Sequence, residues 1–344
     1  MITRRIALRD ALLASGTALI SWAIPGLGLS AEEDVSAHGA GSTFSAPLYQ
    51  KWIDVYRQDH KQVALSYDVV GSGEGVTRFI AGSVDFGATD VVPSEPMLIG
   101  VKRGAISVPA TAGMIVLAYN VPGLAGVLRL PRDVYSDIFS GRIKVWNDPQ
   151  IQKANPNLSL PNRNIAVVVR QDSSGTTAAF TRHLVAIGAS WHASGAGEGF
   201  VIDWPREAMQ GKGNEGVASK IKISEGSIGF VEYGFAKRLG LQMATLENKA
   251  GRFVEPSEEA GRAALLATEN NSTADPRGDG SYPITTLSWL LLYKKYADPK
   301  KAAAVKDWVR WGLTTGQTFA SQLGYIPLPA ETAALAERSL DAIS

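Results

Sequence analysis

Apolar positions along this chain switch repeatedly between two periods. Short β-branched runs at Val63–Val70, Val84–Ala88 and Asn164–Val169 predict buried strands. Between them, apolar residues recur at helical spacing. Leu48, Trp52, Val55 and Tyr56 mark a helix reaching about Asp59, and Val305, Trp308, Val309 and Leu313 form one stripe of a helix over Ala302–Thr314. Helices are also predicted at Val76–Ala81, Pro131–Ser140, Ala178–Ile187 and Gly234–Leu239, and strands at Ser227–Tyr233 and from Tyr282-Pro283-Ile284 through Tyr293. Ile106–Tyr119 is a long β-rich run, interrupted by Pro109 and Gly113, with the length to pass from one lobe toward another. Thr268–Gly280 is polar and reads as an exposed loop, and the chain ends in a short Leu323–Pro327 element and a polar helix. Strands alternating with helices predict an α/β architecture with mostly parallel sheets. In such sheets ligands bind beyond the carboxyl ends of the strands.

The candidate chemistry gathers at those ends. Arg170-Gln171-Asp172-Ser173-Ser174-Gly175-Thr176-Thr177 follows one predicted strand and opens a helix. Arg170 and Asp172 are two residues apart, on one side of the pleat. Ser and Thr cap helices, and Gly lets the backbone approach a ligand closely. Free helix N–H groups, clustered hydroxyls and an Arg fork suit a tetrahedral oxyanion. Taken alone, the stretch reads equally well as a capped helix after a turn with a surface ion pair. Similar junctions occur at His38–Pro47, where Ser42, Thr43 or Ser45 is the expected cap, and at Gly71-Ser72-Gly73-Glu74-Gly75. Thr89-Asp90 closes another strand. Gly211–Gly216 matches the G-x-G-x-x-G dinucleotide pattern, but Arg206–Gln210 before it is no buried strand, so it reads as a loop leading into Val217–Ile223.

Composition narrows the function classes. The 344 residues are close to two domains, and 45% hydrophobic content supports ordinary cores. A net charge of +1 without a long basic run argues against nucleic acid as the main partner. The absence of cysteine removes disulfides, thiolate chemistry, cysteine metal ligands and a lipidated N-terminal anchor. The histidines, His38, His60, His183 and His192, pair with no carboxylate at metal-ligand spacing, and no G-x-S-x-G elbow is present. No catalytic residue, metal site or cofactor is therefore expected. Arg4, Arg5 and Arg9, the apolar run Ala11–Ile24 and the small Ser30-Ala31 read as a secretory signal over residues 1–31. Thr3–Leu8 also approaches a twin-arginine signal, leaving the general secretory and twin-arginine routes both open.

Six motifs occur in order. They are Gly39-Ala40-Gly41-Ser42-Thr43-Phe44, Gly71-Ser72-Gly73, Asp85–Asp90, Arg170-x-Asp172-x-Ser174-Gly175-Thr176, Ile228–Tyr233 and Tyr282-Pro283-Ile284. Together they resemble the periplasmic phosphate-binding proteins of bacterial phosphate ABC transporters, the PstS family, over roughly Ala37 to Pro329. The resemblance implies a type II periplasmic binding protein fold: two α/β lobes joined by two crossovers, with the ligand cleft between them. The crossovers are expected near Ala118–Asn120 and Gln242–Leu246, giving a discontinuous first lobe (32–118 and 247–344) and a second lobe (119–246). Phosphate contacts are expected from Thr43, Phe44, Ser72 and Asp90 on the first lobe and from Arg170, Ser174, Gly175 and Thr176 on the second. Asp172 would orient Arg170, and Asp90 would accept a proton from the ligand. Glu74 departs from the family pattern and is expected to face solvent from the first turn of its helix. The implied function is a monomeric, soluble periplasmic receptor that delivers inorganic phosphate to a membrane permease. The alternatives are a receptor for sulfate or molybdate, and a secreted phosphatase-type enzyme. Asp90 argues against the first, since those anions carry no proton at neutral pH.

Overall fold

The alternating pattern folds into twelve strands in the computed structural model, which describes residues 35–268 and 273–344. The expected export signal over residues 1–31 lies outside the described residues. The strands are β1 (Val35–Gly41), β2 (Val63–Val69), β3 (Phe86–Thr89), β4 (Ala105–Asn120), β5 (Arg129–Leu130), β6 (Ala166–Arg170), β7 (Met209–Gly211), β8 (Ser227–Glu232), β9 (Gln242–Met243), β10 (Thr245–Glu247), β11 (Phe253–Val254) and β12 (Thr285–Tyr293). Nine of them form one sheet in the order β2-β1-β3-β12-β4-β8-β6-β7, with β9 also on β4. β10, β11 and β5 form a small separate sheet.

The flanks of the large sheet are parallel, as the alternation predicts: β1 with β2 and β3, and β6 with β7 and β8. The centre is antiparallel, because β12 runs against both β3 and β4, and β4 against β8. β4 carries the change from one half to the other. Ala105–Met114 pairs with β12, and Ile115–Asn120 pairs with β8. Pro109 lacks an N–H for the ladder, and the register shifts beside it: Ser288 faces Thr111 and Trp289 faces Pro109, leaving Ala110 as the extra residue. The freed Ala110 carbonyl accepts a hydrogen bond from the Gln317 amide at 2.9 Å.

The pairings near the expected crossing points are these. The partner change in β4 falls at Met114–Ile115, ahead of Ala118–Asn120. Gln242 and Met243 still pair with the second half of β4, and Thr245 and Leu246 with β5. Farther along, the Ile284 carbonyl accepts from Ile115 N–H at 2.9 Å. Hydropathy could not mark these points, since a buried strand stays apolar whichever neighbour it has. The Thr268–Gly280 segment is likewise not all exposed. Asp275 forms a bidentate ion pair with Arg132 at 2.8 and 2.9 Å, and the Ala274 carbonyl lies 2.6 Å from His183 Nδ1. A largely buried guanidinium needs such a partner.

Each half has its own aromatic core. In the first, Trp52 of the helix Ala46–Asp59 packs edge-on to Trp308 of the helix Pro299–Leu313, and Phe86 packs on Trp308 at 4.9 Å. The Trp52 indole N–H donates to the Gly316 carbonyl at 2.8 Å. In the second, Phe180 packs between Phe139 and Phe230. Trp52→Ala is expected to cost about 3–5 kcal/mol in denaturant unfolding, from lost burial plus a cavity. A midpoint matching the wild type would show that the two helices do not depend on that contact. Among the described residues no helix is long and apolar enough to cross a membrane.

Candidate functional site

Four helix starts meet where the two halves of the sheet face each other: Ala46–Asp59, Ser72–Ala81, Gly175–Ile187 and Gly213–Ile223. None of the expected hydroxyl caps serves the first helix. Ser42 Oγ instead accepts from Phe44 N–H at 3.0 Å and Ser45 N–H at 3.4 Å while donating to Asp90 Oδ1 at 2.6 Å. The second helix begins at Ser72, directly after Gly71 at φ +100°, where a Cβ would press on the Asp172 carboxylate. The third is capped by Ser174, whose Oγ accepts from Thr177 N–H at 3.0 Å.

Asp90 is buried at the end of β3. Its Oδ1 accepts from Ser42 and, at 3.0 Å, from Ser288 on β12, and its Oδ2 accepts from Ser72 at 3.2 Å. Burial pushes this carboxyl up to about 6, against the pull of those hydroxyls and the Arg170 charge. Arg170 is also buried, at the end of β6. Its Nε donates to Asp172 Oδ1 at 2.9 Å and its Nη2 to Asp172 Oδ2. Burial alone would raise Asp172, and the guanidinium more than offsets it, holding the carboxyl below its usual range. Asp172 Oδ1 also accepts from Gly213 N–H at 2.8 Å, which fixes the fork from behind.

The outer edge of the Arg170 fork reaches across the two halves. Nη1 donates to Thr176 Oγ1 at 3.1 Å and Nη2 to Thr43 Oγ1 at 3.0 Å. Asn214 does the same: its Nδ2 donates to Thr43 Oγ1 at 3.0 Å and Thr176 Oγ1 at 3.1 Å, and its backbone N–H to Thr43 Oγ1 at 3.2 Å. Five N–H contacts thus converge on two hydroxyl oxygens, whose own hydrogens are also donors. Gly73 N–H bonds the Ser173 carbonyl at 3.0 Å, closing the halves a third time. A cleft of about 420 Å³ opens beside Thr43 and Asn214, lined by Pro47, Val69 and Phe235 among others.

The expected residues are therefore brought together. Thr43, Arg170, Thr176 and Asp172 form one bonded chain, and Ser72 and Asp90 another. Gly175 joins the two groups, since a Cβ there would overlap Ser72 Oγ and lie 2.6 Å from Asp90 Oδ2. Phe44 contributes backbone only; its buried ring packs against Tyr325. Glu74 is half-exposed and pairs with Arg78 at 2.7 Å, facing solvent as expected. Asn214, Ser42 and Ser288 were not among the expected residues. Asn214 lies in the Gly211–Gly216 stretch read as a loop; the strand before it, β7, is three residues long and contains Gln210. The signal available was the glycine-to-helix junction itself, the same grammar as at Ser72 and Gly175.

Chemically, the site offers donors from both halves and one carboxylate, Asp90, that is not paired with a guanidinium. All four helix starts open helices of ten or more residues, and each N-terminus carries roughly +0.5 of effective charge. Of the histidines, His183 is buried beside Tyr135 and His38 bonds Asp68, both outside this cluster. Among the described residues no group of three or more His, Cys, Asp or Glu could hold a metal. An arrangement rich in donors with a single protonatable acceptor fits an oxyanion that carries a proton.

Comparison with known proteins finds relatives along most of the chain. A family profile described as "PBP superfamily domain" matches residues 29–315. A protein of Pasteurella multocida named phosphate-binding protein PstS is 39% identical over 301 residues, covering 85% of this chain and 86% of its own. A protein of the same name from Methanocaldococcus jannaschii is 35% identical over 331 residues, covering 88% and 85%. Among solved structures, a high affinity periplasmic phosphate-binding protein bound with phosphate superposes with a TM-score of 0.72 at 21% identity, covering 89% and 94%. A Clostridium perfringens structure described as a phosphate ABC transporter substrate-binding protein with bound phosphate gives 0.64 at 16% identity, covering 86% and 100%.

Proposed function

The chain belongs to the PstS family of phosphate-binding proteins, and from that premise we propose that it is a periplasmic receptor that binds inorganic phosphate and hands it to the permease of an ABC transporter. The observation that carries the reading is the convergence of Arg170 and Asn214 donors from the second half on Thr43 of the first half and on Thr176, with the buried Asp90 carboxylate beside them. A bound phosphate would take those donors on its oxygens and donate a P–OH hydrogen bond to Asp90. Thr43, Phe44, Ser72 and Asp90 serve from the first lobe, and Arg170, Ser174, Gly175 and Thr176 from the second, with Asp172 orienting Arg170. Asn214 joins them. The strand pairing supports a lobe division at Met114–Ile115 and Ile284. Residues 1–31 serve as the export signal. The family is one of binding proteins rather than enzymes.

Hydrogen bonds to a charged group contribute about 1.5–3 kcal/mol each. Several of them suffice for tight binding after closure of the lobes. The direct test is calorimetric titration of phosphate into protein stripped of phosphate, where absence of saturable binding would end the reading. Selectivity tests the chemistry further. Sulfate has no proton to give, so its oxygen would face Asp90 acceptor to acceptor, a repulsion of several kcal/mol in a dry cleft. Asp90→Asn can donate as well as accept. It should keep measurable phosphate binding and narrow the phosphate-over-sulfate ratio by about a hundredfold. A folded variant with the wild-type ratio would place the selectivity elsewhere.

A further inference from the structure

Asp90 is held in an asymmetric way. Its Oδ2 is turned toward the second half, because a Cβ on Gly175 would meet it at 2.6 Å. Its Oδ1 is turned back into the first half, where Ser42 and Ser288 donate to it at 2.6 and 3.0 Å. Ser288 is far from Asp90 in sequence and reaches it from β12. On the same face of β12, Thr286 Oγ1 donates to the Asp90 backbone carbonyl at 2.7 Å. Ser288 is fully buried and is itself tied to Ser45 Oγ at 2.8 Å and Tyr49 OH at 3.3 Å. The register shift of β12 on β4 follows immediately, between Ser288 and Trp289. Bulges beside functional sites commonly re-aim a side chain.

We propose that Ser288 is a specificity-determining positioning residue: its hydroxyl holds the rear oxygen of Asp90 and keeps the front oxygen an unprotonated acceptor facing the anion. The inference rests on the phosphate-receptor reading and adds to it a residue outside the six motifs' anion contacts. A hydroxyl donor stabilises the charged form of a buried carboxylate, and removing it favours the protonated form. The other charged or titratable groups acting on Asp90 are Arg170, which favours its ionised form, and Glu232, Tyr49, Tyr67 and Tyr325. Burial holds those four acids above their ordinary range, so the phenols stay neutral while Asp90 titrates. A protonated Asp90 could donate to sulfate, and the rejection of sulfate would fail.

The test uses sodium sulfate as the probe, because sulfate does not itself titrate near neutral pH. Sulfate and phosphate affinities are measured by calorimetry between about pH 5 and pH 8 for wild type, Ser288→Ala and Ser288→Cys. In the wild type, sulfate binding is expected to appear as pH falls and Asp90 takes a proton. In Ser288→Ala the midpoint should move up by about one pH unit, a tenfold gain in proton affinity. Ser288→Cys, nearly the same shape with a weaker donor, should move it in the same direction by less, and carries the test should the alanine variant not fold. A purely structural role would weaken both anions alike at every pH and leave the midpoint in place, and that result overturns the proposal. So does a wild-type sulfate affinity that is flat with pH. Wild-type protein that binds no phosphate overturns the receptor reading, and the inference with it.

Discussion

Arg170→Ala is expected to weaken phosphate binding by about 10²–10⁴-fold, the equivalent of losing two charge-assisted hydrogen bonds of about 1.5–3 kcal/mol each. The loss compounds. Without the guanidinium, the Asp172 carboxylate remains beside the site, largely buried and bonded only to Gly213 N–H and its neighbours. A negative charge then stands where an anion must enter. Arg170→Lys should recover little, because an ammonium cannot hold Asp172 with two parallel bonds and still reach Thr43 and Thr176. Calorimetry on the two variants separates these effects: affinity near wild type in either would remove Arg170 from the centre of the site.

Gly175→Ala is the complementary case, since it removes nothing. Alanine is a better helix former than glycine, so the helix Gly175–Ile187 should not weaken. The added methyl, however, would overlap Ser72 Oγ and approach the Asp90 carboxylate and Cβ, all on the opposite half. Overpacking costs about 1–3 kcal/mol or more, and here the cost falls on the closed form alone. Affinity should drop at least tenfold to a hundredfold. The melting temperature without ligand should stay close to wild type, while the rise that saturating phosphate brings should shrink or vanish. A full ligand-induced rise in the variant would show that the halves do not need to approach so closely.

What could be read from the sequence depended on whether the signal was local. Junctions of strand, glycine or hydroxyl, and helix are local grammar, and Ser72, Asp90, Arg170 and Gly175 stand at the ends of strands or the starts of helices. Asn214 followed the same grammar but was obscured by β7, an edge strand of three residues too short for any hydropathy pattern. Ser42 was read as a helix cap because its true partner, Asp90, is a neighbour only once β1 and β3 pair. Ser288 gave one faint sign, a serine inside the apolar run Thr285–Tyr293, whose strand partners could not be known from the run itself. Asp275 looked like loop polarity because the group that needs it, Arg132, is more than a hundred residues earlier.

The position of β12 between β3 and β4 also governs the order in which the molecule can be assembled. Gly87 pairs with Leu291, a separation of roughly 200 residues, so this half has very high contact order and should fold slowly. As the chain emerges N-terminus first, β3 and β4 must wait with open edges until Thr285–Tyr293 arrives to fill the gap. Unpaired edges invite pairing with other chains. A fragment ending before Thr285 would therefore present two unpaired edges instead of a smaller stable domain, so the first half depends on the last sixty residues to close its sheet.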